Sequence, residues 1–245
     1  MEIRVHGPGQ EPRALAVTMR TPGNDFELAV GFCLTEGILE SAGDLDTVAY
    51  CLTDEGQQEY NVVTVKLRRI VNLDGHERHF VANASCGLCG KTTLDQVEQL
   101  CAPVGEGPIL ARSVLTELPK RSRSAQSVFD ATGGLHAAAS FTSEGELVAL
   151  REDIGRHNAV DKLIGHAALE RELPLSTDVL LVSGRVSFEI VQKAAFAGIP
   201  IVCAVSAPSS LAVDAARRFG QTLVGFLRED RANVYTHPER VDGDR

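Results

Sequence analysis

A chain of 245 residues, 44% apolar and 23% charged, can bury a substantial core as one large domain or two small ones, and its balance is that of a globular rather than a disordered protein. The formal net charge of −9 argues against a general nucleic-acid binder, and no run approaches the roughly eighteen consecutive apolar residues of a membrane span. Six cysteines without a disulfide-framework spacing, behind a start (Met1-Glu2-Ile3-Arg4-Val5-His6-Gly7) with no apolar signal region, point to a cytoplasmic protein, neither exported nor membrane-bound.

Residues 15–19 read as a strand, and Thr21-Pro22-Gly23-Asn24-Asp25 as a turn into a helix with Asn24 at or near its N-cap. Phe26, Ala29, Val30 and Cys33 recur at helical spacing, which places Cys33 in the core, and Gly37 ends the helix. Residues 48–52 and 60–67 look like two strands joined by the polar turn Thr53-Asp54-Glu55-Gly56-Gln57, with Cys51 also in the core.

The stretch Ser85-Cys86-Gly87-Leu88-Cys89-Gly90-Lys91 follows an apolar run (Phe80, Val81, Ala82) and precedes a helical one (Leu94, Val97, Leu100), giving strand, loop, helix. A thiol at a helix N-terminus feels the positive end of the macrodipole, and Lys91 adds a full charge, so the thiol pKa is expected to fall and the thiolate fraction to rise. Redox dithiols, half zinc sites, sulfur carriers and plain core cysteines all share this C-x-x-C spacing. A zinc site needs two further ligands, and the chain holds no second C-x-x-C or C-x-x-H. A thioredoxin-like dithiol is usually W-C-x-x-C early in a βαβ unit, whereas this chain has no tryptophan and its pair follows two strands. Both of those readings lose ground.

A helix from Thr92 ends near Cys101, and Pro103, Gly105, Gly107 and Pro108 then break the chain. The expected division is an α+β subdomain over residues 1–110, carrying the C-x-x-C loop, and an α/β cofactor-binding domain over residues 111–245. The basic run Lys120-Arg121-Ser122-Arg123 reads as a solvated helix or linker face, with a docking patch as the alternative.

Residues 135–141 and 146–150 read as a hairpin around Thr142-Ser143-Glu144-Gly145, followed by a helix through Asn158, Val160, Leu163 and Ile164. Strands at 179–182, 201–205 and 222–227 then alternate with helices at 188–197 and 211–219, implying a sheet with parallel members and helices on both faces. Such sheets bind ligands beyond the carboxyl ends of their strands. There, Ser183-Gly184-Arg185-Val186-Ser187 and Ser206-Ala207-Pro208-Ser209-Ser210 each leave a strand and open a helix, where N–H groups and hydroxyls can cradle a phosphate; Ser and Pro also serve as ordinary caps. Ser183, Gly184, Arg185, Ser206 and Ser209 are therefore candidates, with Arg156 nearby. The run Phe226-Leu227-Arg228-Glu229-Asp230-Arg231 combines an aromatic face with carboxylates, a composition suited to guanine or, equally, to a charged surface.

His136, in Thr132-Gly133-Gly134-Leu135-His136, and His157 read either as structural histidines or as proton-transfer groups near the thiols. The side chains of His157, Asn158, Asp161 and Lys162 share one helical face, which suggests a site, although Asp161 and Lys162 could equally face solvent. Cys101 and Cys203 lie in apolar runs and read as core.

Taken together, Thr21-Pro22-Gly23 before Glu27-Leu28-Ala29-Val30-Gly31-Phe32 and Thr35-Glu36-Gly37, the C-G-L-C-G-K loop, T-G-G-L-H-A, E-D-I-G-R-H-N-A-V-D-K, S-G-R-V-S-F-E-I-V-Q-K and S-A-P-S-S-L-A resemble the formate dehydrogenase accessory sulfurtransferase family over about residues 15–237. The resemblance implies an α/β protein whose mixed sheet forms a cytidine-deaminase-like three-layer core, beside the smaller N-terminal α+β subdomain. It also implies a cytoplasmic homodimer that takes persulfide sulfur from a cysteine desulfurase and passes it to Mo-bis(molybdopterin guanine dinucleotide), bound as a substrate, for formate dehydrogenase. Carried over residue by residue, Cys86 matches the persulfide-bearing cysteine, Cys89 its companion, and Phe226, Leu227, Arg228, Glu229, Asp230 and Arg231 a segment contacting the cofactor. The leader before the first expected strand is short beside the family's. No metal of the protein's own is expected, because the order of C-x-x-C and T-G-G-L-H-A is not that of the zinc deaminase signature. Two alternatives stand beside this: a cofactor-binding chaperone without sulfur transfer, and a zinc-dependent deaminase-like enzyme using Cys86, Cys89 and His136.

Overall fold

The structure is a computed structural model that describes residues 1–52, 56–73, 80–81, 103–170, 173–229 and 231–243, with the backbone alone at 80–81. Its first sheet contains β1 (Glu2–His6), β2 (Arg13–Val17), β3 (Leu45–Leu52), β4 (Gln58–Leu67) and β5 (Phe80–Val81), ordered β3-β4-β1-β2-β5, and α1 (Asp25–Thr35) follows β2. The sequence reading lacks β1, yet this strand is central, running parallel to β4 and antiparallel to β2. Its alternation buries Ile3 and Val5, but five residues make too short a pattern for periodicity to mark them out. Asn24 occupies the N-cap of α1 as expected, in the left-handed conformation that asparagine tolerates.

Beyond residue 103 come β6 (Leu110–Ala111), α2 (Arg112–Ser124), α3 (Ser127–Thr132), β7 (His136–Phe141), β8 (Leu147–Asp153), α4 (Arg156–Glu170), β9 (Val179–Val182) and α5 (Phe188–Phe196). These are followed by β10 (Ile201–Ala204), α6 (Ser210–Arg218), β11 (Thr222–Gly225), β12 (Asn233–Thr236) and β13 (Val241–Asp242), the last paired with β6. The main sheet is ordered β12-β11-β10-β9-β7-β8; β9, β10 and β11 are parallel, and the outer strands antiparallel.

Period-two alternation divides the side chains of this sheet between two faces. Ala138, Leu180, Val182, Val202, Ala204 and Leu223 join the cluster built with α4, α5 and α6. Ala139, Phe141, Val179, Leu181, Ile201, Cys203 and Val224 pack instead with Leu115 and Leu118 of α2. The fold is thus the mixed α/β arrangement expected, with helices on both faces. The exposed turn of α2 carries the basic run, where Arg123 pairs with Asp130 at 2.6 Å and lies over the Phe129 ring.

Helix α1 meets α4 at two glycines. A Cβ on Gly31 would lie 1.9 Å from the Asp161 carbonyl oxygen, and one on Gly165 would lie 1.8 Å from that of Glu27, so the two backbones are in direct contact. The close crossing joins the two sheets. One hydrophobic cluster runs from Ile3, Val63 and Val65 through Val30 and Leu163 to Leu180 and Val202, on both sides of residue 110. Each of its fully buried aliphatic side chains contributes roughly 1.5–3 kcal/mol. Cys33 and Cys203 are in the interior as expected, where burial raises the Cys33 thiol pKa and pushes Cys203 up to about 12, so neither is a thiolate near neutrality. Cys51 is half-buried, with Sγ 3.0 Å from the Thr64 hydroxyl.

Candidate functional site

The two Ser-rich corners lie side by side at the carboxyl ends of β9 and β10 and are stitched together. Val186 N–H donates to the Ala207 carbonyl at 3.2 Å, and Ser209 N–H donates to that of Val186 at 2.9 Å. The Ser183 hydroxyl accepts from Ala137 N–H at 2.9 Å, and the Ser209 hydroxyl accepts from Ala212 N–H at 3.1 Å as the N-cap of α6. Ser183 therefore anchors β7 and Ser209 is an ordinary cap, while between them Gly184 is buried and Arg185 exposed. Ser206 contributes its carbonyl, which accepts from Phe226 N–H at 3.1 Å.

Phe226 follows β11 with φ +52° and its side chain exposed. A bulky residue in the left-handed region is strained and persists only where its surroundings dictate it. Here Leu227 dictates it: fully buried, it donates its N–H to the Ala204 carbonyl at 3.0 Å, leaving the Phe226 ring outside. Leu227 is thus the anchor of this segment rather than a contact surface. Arg228, Glu229 and Arg231 are exposed, with Arg228 N–H bonded to the Arg231 carbonyl at 2.8 Å. Asp230 lies outside the described residues, as do Cys86, Cys89 and Cys101.

Opposite the β9 corner, which carries Arg185, stand two further basic groups. His136 begins β7 with Nδ1 only 3.2 Å from where a Gly184 Cβ would be, and Arg156, the first residue of α4, brings its Cδ within 3.7 Å of the same point. A side chain at 184 would crowd the His136 ring and push it aside by a few tenths of an ångström. Burial, then Arg156 and Arg185, lower the His136 pKa; burial, then Arg185, lower that of Arg156, with Glu189 opposing. The Arg156 Nε is buried without a hydrogen-bond partner among the described residues. Like charges have been brought together here at a cost. Behind them His157 Nε2 lies 2.9 Å from the Ser187 hydroxyl and 3.6 Å from Glu189, and burial, then Arg156, Lys193 and His136, push its pKa down to about 3.

Ile154 of the E-D-I-G-R-H-N-A-V-D-K stretch is exposed, whereas its other charged members are tied to the protein itself. Glu152 accepts from the N–H groups of Val128 and Phe129, opening α3. Asp153 pairs with Lys162 at 2.8 Å and accepts from the N–H groups of Thr21 and Gly155, while Lys162 also donates to the Thr21 carbonyl. Asp161 accepts from Lys193 at 3.0 Å and from the Thr35 hydroxyl at 2.8 Å. Asp161 and Lys162 are each 1% exposed, so they do not face solvent, and with Asn158 they form a structural seam between α4, α1 and residues 18–21, while His157 of the same face turns to Ser187. Lys193 and Glu189 were missed in sequence, and Ser187 was read only as part of its corner; the i,i+4 spacing of Glu189 and Lys193 was the available signal, but it says nothing of burial.

Strand β5, the last described backbone before Cys86, runs parallel to β2 with Val81 opposite Val17. Just past the end of β2, the Thr18 hydroxyl donates to Asn158 in the first turn of α4. Among the described residues, no three His, Cys, Asp or Glu side chains stand together as a metal site, and no helix is long and apolar enough to cross a membrane.

These features define a mixed α/β protein with an anion-attracting corner at the carboxyl ends of its parallel strands. The chain belongs to the FdhD/NarQ family, which it matches over residues 2–242. It is 53% identical over 248 residues to the sulfur carrier protein FdhD of Streptomyces coelicolor, covering 98% of this chain and 86% of that one. It is 49% identical to the protein of the same name from Mycolicibacterium paratuberculosis (98% and 89% covered) and 47% identical to that of Sulfurisphaera tokodaii (94% and 85%). In fold it is similar to the crystal structure of a candidate formate dehydrogenase accessory protein from Desulfotalea psychrophila, with a TM-score of 0.72 and 24% identity over 99% of this chain and 89% of that one.

Proposed function

We propose that this chain is a sulfur carrier for formate dehydrogenase maturation: Cys86 receives persulfide sulfur from a cysteine desulfurase and delivers it to bis-molybdopterin guanine dinucleotide held at the carboxyl ends of β9, β10 and β11. The carrier role is supported by relatives of about half-identical sequence that bear that name. The cofactor role rests chiefly on the crowding of Arg156, Arg185 and His136, with a buried guanidinium nitrogen that has no partner among the described residues. Such crowding is offset when a phosphate enters. The same crowding disfavours a zinc ion on His136 and so weighs against the deaminase-like reading. Phe226 offers its ring to the guanine, Asp230 a carboxylate for the N1 and N2 donors, and Arg228 a further charge for the phosphates. The resemblance adds a cytoplasmic homodimer.

In the first step the Cys86 thiolate attacks the outer sulfur of the donor persulfide, forming a Cys86 persulfide and expelling the donor cysteine as its thiolate. In the second, the Cys89 thiolate attacks the inner sulfur and expels the outer one as hydrosulfide. The two cysteines supply the two electrons by becoming a disulfide, which a dithiol reductant reopens. The charge of Lys91 favours the thiolate for both attacks.

The test is complementation. In cells lacking their own carrier, Cys86→Ala/Cys89→Ala is expected to leave formate dehydrogenase inactive while still binding guanosine diphosphate. Full restoration of activity by that variant would replace the carrier with a cofactor-binding chaperone.

A further inference from the structure

The two stitched corners use their cap serines differently. Ser209 accepts a bond from Ala212 N–H and so caps α6. Ser187 occupies the equivalent place on α5, with extended backbone angles (φ −91°, ψ 167°), yet its hydroxyl accepts nothing from its own helix and turns instead to His157 Nε2 at 2.9 Å. A stabilising cap has been forgone at the corner where the basic groups gather. Resting on the reading that this corner takes a phosphate-bearing ligand, we propose that Ser187 is one of its phosphate-binding residues, its hydroxyl proton turned outward because His157, held as the Nε2–H tautomer by Glu189, donates to its oxygen.

The tautomer follows from what surrounds the ring. Glu189 bridges two groups, with Oε2 3.6 Å from His157 Nε2 and Oε1 3.9 Å from Lys193 Nζ. Lys193 is 1% exposed and also meets Asp161 at 3.0 Å, the Thr35 hydroxyl at 2.9 Å and Glu36 at 3.6 Å. Burial opposes its charge, but Asp161, Glu36 and Glu189 outweigh burial and keep it protonated. The Glu189 carboxylate is thus fixed between an ammonium and the imidazole. A bare Nε2 would set its lone pair against that carboxylate, whereas Nε2–H is attracted to it and to the Ser187 oxygen together. Since burial keeps the ring from taking a second proton, Nδ1 is left as the acceptor nitrogen. With its oxygen accepting from His157, the Ser187 hydroxyl has its hydrogen free to donate to an anion beside Arg185 and Arg156. His157 and Glu189 are then positioning residues that act through Ser187.

The test has two readouts. Nitrogen NMR of the histidine-labelled parent protein at neutral pH, without ligand, is expected to give His157 as the Nε2–H tautomer; the Nδ1–H form would overturn the inference while leaving the phosphate site standing. Calorimetry with pyrophosphate and with guanosine diphosphate is expected to show about tenfold or greater weakening for Ser187→Ala. His157→Asn should match it, His157→Gln, whose amide nitrogen reaches the Nε2 position, should recover most of the loss, and Ser187→Ala/His157→Asn should be no weaker than Ser187→Ala alone. Parent-like binding by Ser187→Ala, or additive losses in the double variant, would overturn it. Failure of the parent to bind either probe would remove the phosphate site and this inference with it.

Discussion

Two groups of charged side chains, a few residues apart in sequence, are treated in opposite ways by this fold. Asp153, Asp161, Lys162 and Lys193 are almost wholly buried, and each meets an opposite charge within 3.0 Å and further donors or acceptors. Arg156, Arg185 and His136 are half-buried or exposed, and they are set mainly against one another, with Glu189 opposing only in part at Arg156. Charges of the first kind hold the protein together, because removing one partner strands the other in a medium that cannot solvate it. Charges of the second kind cost stability until something anionic arrives. The difference separates scaffold from site without reference to any motif.

The contrast makes quantitative predictions. The largest effect belongs to the buried group: Lys193→Met, which strands Asp161, is expected to lower unfolding free energy by about 3–5 kcal/mol in urea titrations. A loss below about 1 kcal/mol would mean the pair is not a structural seam. At the strand ends, Arg156→Ala should weaken pyrophosphate binding by about 1.5–3 kcal/mol and leave stability unchanged or raised. Equal losses of stability and binding would erase the distinction between the two regions.

His157 connects the groups and adds a pH dependence. Its folded pKa of about 3 is below the ordinary 6.5, so above pH 6.5 both folded and unfolded rings are neutral and the contribution is fully kept. As pH falls from 6.5 toward 3 the unfolded ring takes a proton that the folded one refuses, and stability drops by on the order of 1 kcal/mol per unit. His157→Gln should flatten that slope, which denaturant midpoints between pH 7 and 5 would register. Smallest is the exposed Arg123–Asp130 pair on the basic run, where Arg123→Ala should change stability by no more than about 0.5 kcal/mol and leave pyrophosphate binding untouched.

Much of the architecture was legible in the sequence because it repeats at short range. The alternation of apolar fours with helices gave β9, α5, β10, α6 and β11 to within a residue or two, and Asn24 marked the start of α1. Strand β1 was not, because its partners β4 and β2 are chosen by tertiary pairing. At the site, the Ser-rich corners and Phe226 stood out by composition. Ser187 and Ser209 look alike in sequence, however, and only the approach of α4 decides that one caps a helix while the other faces His157. Burial is equally invisible: nothing in E-D-I-G-R-H-N-A-V-D-K tells that Arg156 opens toward the strand ends while Asp161 and Lys162 close onto α1 and the backbone at Thr21.

The carrier itself is tested most directly by intact-protein mass spectrometry after incubation with a cysteine desulfurase and cysteine. The parent is expected to gain the mass of one sulfur atom on Cys86, removable by a dithiol reductant, and Cys86→Ala should gain none. An adduct of the same mass and yield on Cys86→Ala/Cys89→Ala would contradict sulfur transfer through this pair.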